Sequence, residues 1–186
     1  MNLNIKEEKY HWTSDEKIKW FGYGEWIEEW DITEFEYLGY YAKVIRVIMF
    51  ETYCAQEVYF GGHLCGYVKI PENHPYFRKK DIDLECHHGL TFNEAHEEHW
   101  VGFHCGHSGD YIPTIEYIRK TNPELKKFNE IFPLPEGFEK FALFNPVYRN
   151  MNYCIEQCIY LIDQLDAMVN KSDKAINLIM NKKNDN

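Results

Sequence analysis

Near the C-terminus, apolar residues recur at alternating intervals of four and three positions. Such spacing puts every member on one side of an α-helix, because the helix turns once every 3.6 residues. The members of this apolar seam are Val147, Met151, Cys154, Cys158, Leu161, Leu165 and Met168. The seam predicts a long C-terminal helix over residues 146–170, followed by a tail over 171–186 that frays.

A long helix with one apolar face needs a surface to pack against, and the middle of the chain offers β-branched and aromatic runs. Four runs are interpreted as strands, at Tyr37–Tyr53, His63–Ile70, Ile82–Phe92 and Trp100–Cys105, with a turn at Gly61-Gly62. We therefore predict an α+β fold, in which an antiparallel sheet of four or more strands packs against the C-terminal helix. The alternative is a dimer helix, since the same spacing suits helix pairing and a homo-oligomer.

The length of 186 residues suits one domain with a full core. We expect a single domain over 1–186, made of an acidic aromatic segment over 1–35, a sheet core with motif loops over 36–112, and the helix. Shorter helices are predicted at Ser14–Phe21, with Ser14 as N-cap, at Thr114–Lys120 and at Glu124–Phe132.

The charge balance excludes several classes of partner. The formal net charge is −10, which repels nucleic acid and acidic membrane surfaces. No run approaches the about 18 apolar residues of a membrane span. Because no signal-like segment precedes the six cysteines, we expect free thiols in a reducing cytosol, with neither nucleic acid nor membrane as partner.

Eight of the nine histidines lie between His63 and His107, and this clustering indicates where chemistry would occur. Alternation along the strand at Ile82–Phe92 places His87 on the face away from the core, and the same holds for His104 in the next strand. If Thr91 lies opposite Trp100 in a hairpin, His87 lies opposite His104, and the two imidazoles are close enough to share a ligand or a metal. A slip of one residue would separate them.

The sequence GHSGD follows this strand, and its glycines allow a loop that exposes backbone N–H groups. The predicted ligand-binding residues are His87, Thr91, Trp100, His104, His107 and Asp110. A metal, if present, would be bound by His87, His104, His107 and Asp110, as in zinc or iron hydrolases. No HExxH, P-loop or Rossmann motif occurs, so no catalytic residue or cofactor is assigned, and several histidines could be structural. A Cys105 nucleophile is the weaker alternative, because strand alternation places Cys105 in the core.

Three motifs together resemble a family of small, uncharacterised proteins of bacteriophages and prophages. The family pattern is GYV-P-HP, HGGLTF and W-x-GFDC-x-H-x-GD, and the counterparts here are GYVKIPENHP, HHGLTF and WVGFHCGHSGD. The resemblance covers residues 36–112 and, loosely, the last helix; its matching positions are His87, Thr91, Trp100, Cys105, His107 and Asp110. Two positions depart from it, with His88 in place of glycine and His104 in place of aspartate. If that aspartate were catalytic, binding would survive the change more easily than catalysis.

The resemblance implies a phage setting, in which the host cytosol is the expected location. We expect a protein that binds a small nucleotide-like or other anionic ligand in a pocket of histidine and aromatic side chains, and sequesters a host immune signal as counter-defence. One alternative is a metal-dependent hydrolase of a phosphodiester or nucleotide signal. Another is a protein-interaction inhibitor of a host enzyme, acting through its acidic face or residues 1–35.

Overall fold

A computed structural model describes residues 3–53, 56–121 and 146–184, and these residues include a six-stranded antiparallel sheet. Its strands are β1 (Asn4–Lys9), β2 (Ile32–Tyr37), β3 (Tyr40–Tyr53), β4 (Gln56–Ile70), β5 (Phe92–Ala95) and β6 (His99–His104). Their order across the sheet is β1-β2-β3-β4-β6-β5, and each neighbouring pair is antiparallel. This sheet and its helices confirm the predicted α+β class.

The described helices are α1 (Ser14–Phe21), α2 (Pro113–Thr121) and α3 (Met151–Asn184), with a 3₁₀ turn at Glu25–Ile27. The prediction of Ser14 as N-cap was wrong by one residue. Thr13 is the N-cap, since its hydroxyl accepts from the Glu16 N–H while the Glu16 carboxylate accepts from the Thr13 N–H. This reciprocal pair satisfies two N–H groups that the first helical turn leaves free.

Helix α3 covers one face of the sheet, which confirms the packing interpretation of the apolar seam. Met151, Cys154, Cys158, Leu161 and Leu165 are buried in one cluster with the inward side chains of β2, β3, β4 and β6. Val147 does not belong to the helix, because Asn150 caps it by accepting a hydrogen bond from the Tyr153 N–H. The helical backbone extends to Asn184, beyond the predicted end at residue 170.

Strands β3 and β4 form a long hairpin that contains a β-bulge. The predicted turn at Gly61-Gly62 is wrong, since both glycines lie inside β4. Arg46 pairs with Leu64 and Ile48 with Gly61, so Val47 faces two residues of β4, Gly62 and His63. The glycines have φ of 136° and 82°, which only glycine adopts without strain. The bulge changes the direction of the strand at His63.

The predicted strand at Ile82–Phe92 is also wrong, since β5 begins only at Phe92. Alternation is present, with Leu84 buried, but helix α3 takes the place of a neighbouring strand. The Gln164 side chain accepts from the Glu85 N–H at 2.8 Å and donates to the Glu85 carbonyl at 2.7 Å. A side-chain amide thus satisfies the backbone groups that a strand partner would otherwise satisfy.

The predicted hairpin register differs from the observed one. Phe92 pairs with Gly102 and Asn93 with Val101, whereas the prediction placed Thr91 opposite Trp100. His104 pairs with Cys65 of β4, and His87 lies in a turn outside the sheet. The cross-strand pair of His87 and His104 therefore does not exist.

Residues 3–35, the described part of the N-terminal segment, belong to the fold. Strand β1 pairs with β2, and α1 buries Phe21 and the whole of Lys17. The Lys17 ammonium lies 2.9 Å from Asp31, which also accepts from Arg46 Nε at 2.7 Å. Arg46 in turn donates to the bulge carbonyl of Gly62 at 2.8 Å and to Glu29. Through Asp31 and Arg46, this buried network of ion pairs and hydrogen bonds connects the N-terminal segment to the bulge.

The predicted helix at Glu124–Phe132 and Cys54 lie outside the described residues. Helix Pro113–Thr121 confirms the prediction at Thr114–Lys120. None of the helices in the described part of the chain has the length and apolar character needed to cross a membrane.

Candidate functional site

Four segments converge at the carboxyl end of β6. A turn after the Glu85 segment carries His87 and His88, and its Gly89 N–H donates to the Cys86 carbonyl. His104 ends β6, and the following loop carries His107 and Asp110. The loop is held by paired hydrogen bonds between residues 109–111 and Val147, which brings the start of α3 beside it.

Asp110 is the centre of the polar contacts. Its Oδ2 accepts from His87 Nε2 at 2.8 Å and from the His107 N–H at 3.0 Å, and its Oδ1 accepts from Arg149 Nε at 3.3 Å. The other ring nitrogen of His87 lies 2.9 Å from the Tyr153 hydroxyl. Burial by itself raises the pKa of Asp110, but the hydrogen bonds from His87, His107 and Arg149 outweigh it and hold that pKa below its usual value. The carboxylate is therefore ionised at neutral pH.

Histidine rings continue from this carboxylate into an adjacent cleft. His88 and His104 lie on either side of His107, with ring centroids 4.6 and 4.0 Å away and nearly parallel planes. His63 follows, 6.1 Å from His104. Burial lowers the pKa of His107, and the neighbouring His104 and His88 lower it further. Because burial lowers the pKa of His104 as well, the stacked His104 and His107 rings are predominantly neutral at pH 7.

The cleft has a volume of about 370 Å³ and lies beside this row. Its lining residues are Val47, His63, Cys65, Tyr67, Thr91, Phe92, Phe103, His104 and Gly106. A second cleft of about 250 Å³ shares Tyr67 and Phe92, and adds Lys43, Ile45 and Trp100. The two shared rings meet edge to face at 5.2 Å, so they form a partition between the two clefts.

His63 is the most perturbed histidine of the cleft. Burial, and next the neighbouring His104, lower its pKa to about 4. Its Nδ1 is buried and has no hydrogen-bond partner within the described residues. A buried imidazole nitrogen without a partner costs free energy unless a ligand or water satisfies it, so this end of the cleft is a candidate binding position.

We expect the folded protein to lose stability in acid through His63. The unfolded chain has a histidine pKa near 6.5, so between pH 6.5 and 4 it binds a proton that the folded state does not. The free energy of unfolding therefore falls as the pH decreases through this range, by on the order of 3 kcal/mol from this group. The charged and titratable groups acting on it are His104, Asp110, Arg46 and His107.

Urea unfolding of chelator-treated protein at several pH values measures this effect. His63→Gln should flatten the decline between pH 6.5 and 4, whereas His96→Gln, whose side chain is 86% exposed, should leave it unchanged. Equal slopes for the wild type and His63→Gln would contradict the assignment.

The structure brings together most of the predicted site residues. His87, His107 and Asp110 are in mutual contact, His104 stacks on His107, and Thr91 lines the cleft. Trp100 lies apart, in the second cleft, where the Lys43 ammonium is 4.6 Å from its ring centroid. Cys105 is buried with its sulfur 3.6 Å from that of Cys154, and both this contact and burial raise its pKa. This burial of Cys105 is what strand alternation predicted.

Sequence reasoning missed four members of the site: His63, His88, Arg149 and Tyr153. His63 lies at the bulge and lines the cleft, and the only trace of the bulge in the sequence is the pair of glycines before His63. His88 has φ of 53°, which turns its ring toward His107. Arg149 and Tyr153 are distant in sequence and reach the site only because α3 begins there. No family model, curated protein or solved structure matches this chain.

Proposed function

We propose that the protein binds a small nucleotide-like ligand in the cleft between His63, Tyr67 and Phe92. The observation that supports this most is a ring-lined cleft of about 370 Å³, one of whose lining residues is His63, with a buried Nδ1 that has no hydrogen-bond partner in the described part of the chain. Pockets for small molecules combine apolar walls with a few polar groups that fix orientation, and this volume lies in their usual range.

The two clefts suit different parts of such a ligand. A planar base would pack against Tyr67 or Phe92, with its polar edge toward His63, His104 and Thr91. These imidazoles are uncharged at neutral pH, because burial lowers the pKa of both His63 and His104. The described cation of the second cleft is Lys43, which caps the Trp100 ring. An anionic group of the ligand would therefore lie toward Lys43, across the partition.

In the phage setting that the resemblance implies, this binding would sequester a nucleotide-derived signal of the host. Within residues 3–35, β1 and α1 are part of the fold, so an inhibitor of a host enzyme that acts through this segment would use a surface of the folded protein. The hydrolase alternative differs from sequestration in the fate of the ligand, and one experiment separates the two.

The experiment exposes the purified protein to linear, cyclic and ADP-ribose-derived nucleotides, removes free ligand, denatures the protein by heat and chromatographs what is released. We expect one class to be retained and returned intact. Tyr67→Ala should weaken its binding by about 5- to 150-fold, since stacking on an aromatic ring contributes about 1–3 kcal/mol per base. Tyr23→Ala is the matched control, because Tyr23 is 82% exposed.

Retention of no nucleotide, or equal binding by wild type and Tyr67→Ala, would contradict the proposed cleft. Release of an altered nucleotide would favour the hydrolase and would contradict sequestration.

A further inference from the structure

We propose that His87, His88, His107 and Asp110 bind one transition-metal ion of the zinc class. One possible ligand atom from each of these residues lies within 4.8 Å of all the others. The proposal is independent of the nucleotide cleft, and it replaces His104 of the predicted metal set with His88.

The distances around Asp110 agree with a metal centre. Its Oδ2 lies 2.8 Å from His87 Nε2 and 3.8 Å from His107 Nδ1. Two ligands of a tetrahedral zinc ion, each about 2.0–2.1 Å from the metal, are about 3.3 Å apart. The two observed distances lie on either side of this value, so small side-chain movements suffice to enclose an ion.

One ring nitrogen of the cluster has no hydrogen-bond partner among the described residues. His87 and Asp110 satisfy each other, but His107 Nδ1 is buried and has no hydrogen-bond partner among the described residues. This nitrogen faces the Asp110 carboxylate at 3.8 Å, which is too long for a hydrogen bond. A metal ion between the two would satisfy both atoms.

Outer contacts already orient the ligands. Tyr153 holds the second ring nitrogen of His87 at 2.9 Å, and Arg149 holds the second oxygen of Asp110 at 3.3 Å. Metal-binding histidines commonly have such a partner on the other nitrogen, which fixes the ring and its tautomer. Tyr153 lies in the first turn of α3 and Arg149 lies two residues before the helix, so this end of α3 would position the metal centre.

The donor set selects the class of metal. Three imidazole nitrogens and one carboxylate suit Zn²⁺ and the neighbouring first-row ions. Mg²⁺ and Ca²⁺ prefer oxygen ligands throughout. The net charge of the four ligands is −1 with neutral imidazoles, so a divalent cation would leave a local positive charge beside the uncharged cleft.

His88 offers a decisive variant, because its backbone has φ of 53°. Glycine adopts this conformation at lower cost than histidine, so His88→Gly should preserve the fold while removing one ligand. The experiment strips the protein with a chelator and titrates it with Co²⁺, following visible absorption, and with Zn²⁺ by calorimetry. Thermal unfolding of each metal-free variant shows whether it folds.

We expect the wild type to bind one Co²⁺ per chain with the intense absorption of tetrahedral cobalt. His107→Ala and Asp110→Asn should weaken Co²⁺ and Zn²⁺ binding more than about a hundredfold, which exceeds the effect of losing an outer contact. His88→Gly should weaken it at least tenfold without lowering the metal-free unfolding temperature. The control His96→Ala should bind as the wild type does.

Two results would overturn the proposal. One is the lack of a stoichiometric Co²⁺ or Zn²⁺ complex in the folded wild type. The other is full affinity in His88→Gly together with loss of affinity in His104→Ala, which would assign the fourth ligand to His104. Failure of nucleotide binding with intact metal binding would affect the proposed function alone.

Discussion

Asp31→Asn should lower the free energy of unfolding by about 3–5 kcal/mol, the usual cost of breaking a buried ion pair by removing one partner. The Asp31 carboxylate is fully buried and lies within 3 Å of both the Lys17 ammonium and Arg46 Nε. It also accepts from the His11 and Trp12 N–H groups. Without its charge, Lys17 and Arg46 remain as two buried cations near one carboxylate, Glu29.

The measurement is urea unfolding at neutral pH, with Glu36→Gln as the control. Glu36 pairs with Lys6 at 2.7 Å, but both side chains are about 40% exposed, and exposed pairs contribute about 0–1 kcal/mol. Because Arg46 also donates to the Gly62 carbonyl next to His63, we expect ligand binding in the proposed cleft to weaken together with the stability of the fold. A loss of stability no greater than that of Glu36→Gln would contradict the role given to the buried network.

Phe103→Ala should cost about 3–5 kcal/mol, as is typical when a buried aromatic ring is truncated. Phe103 is 1% exposed and belongs to the core beneath α3. Its ring occupies the space that Gly66 leaves, since a Cβ on Gly66 would lie 2.4 Å from the ring. It also lies 6.4 Å from the His87 ring and forms part of the wall of the larger cleft. The residue of β4 paired with Phe103 is Gly66, which has no side chain to fill the cavity.

Thermal unfolding should show the midpoint falling by about 6–20 °C, from about 2–4 °C per kcal/mol at this chain length. Leu38→Ala is the control, because Leu38 is 53% exposed and its truncation leaves no cavity. An unfolding midpoint for Phe103→Ala equal to that of Leu38→Ala would show that this ring is not part of the packed core.

Most of what was correctly predicted about the fold came from the periodic spacing of apolar residues. The seam from Met151 to Leu165 identified the buried face of α3, and Val101, Phe103 and Cys105 identified the inward face of β6. These patterns work because helix and strand each turn their side chains with a fixed period, which any chain must obey to bury one face. The same alternation correctly placed His104 away from the core.

The errors came from contacts between segments that are distant in sequence. The segment at Glu85 alternates like a strand, but Gln164 supplies its backbone partner. The two glycines that predicted a turn instead belong to a β-bulge, where Arg46 donates a hydrogen bond to the Gly62 carbonyl. His88 joins the site through a positive φ, which local propensity disfavours for histidine. Each of these features is settled by tertiary contacts, on which a single sequence carries little information.

The hairpin of β3 and β4 is flanked by other strands along only part of its length. β2 pairs with β3 only as far as Ile45, and β6 pairs with β4 only from Cys65 onward. From the pair of Ile48 and Gly61 to the pair of Tyr53 and Gln56, β3 and β4 pair with each other. In the described part of the chain no third strand flanks this portion of the hairpin. In such a ribbon alternate N–H groups point outward. Amide hydrogen exchange should therefore be slow at nearly every residue around Val44 and Val68, and should alternate between slow and fast beyond the bulge.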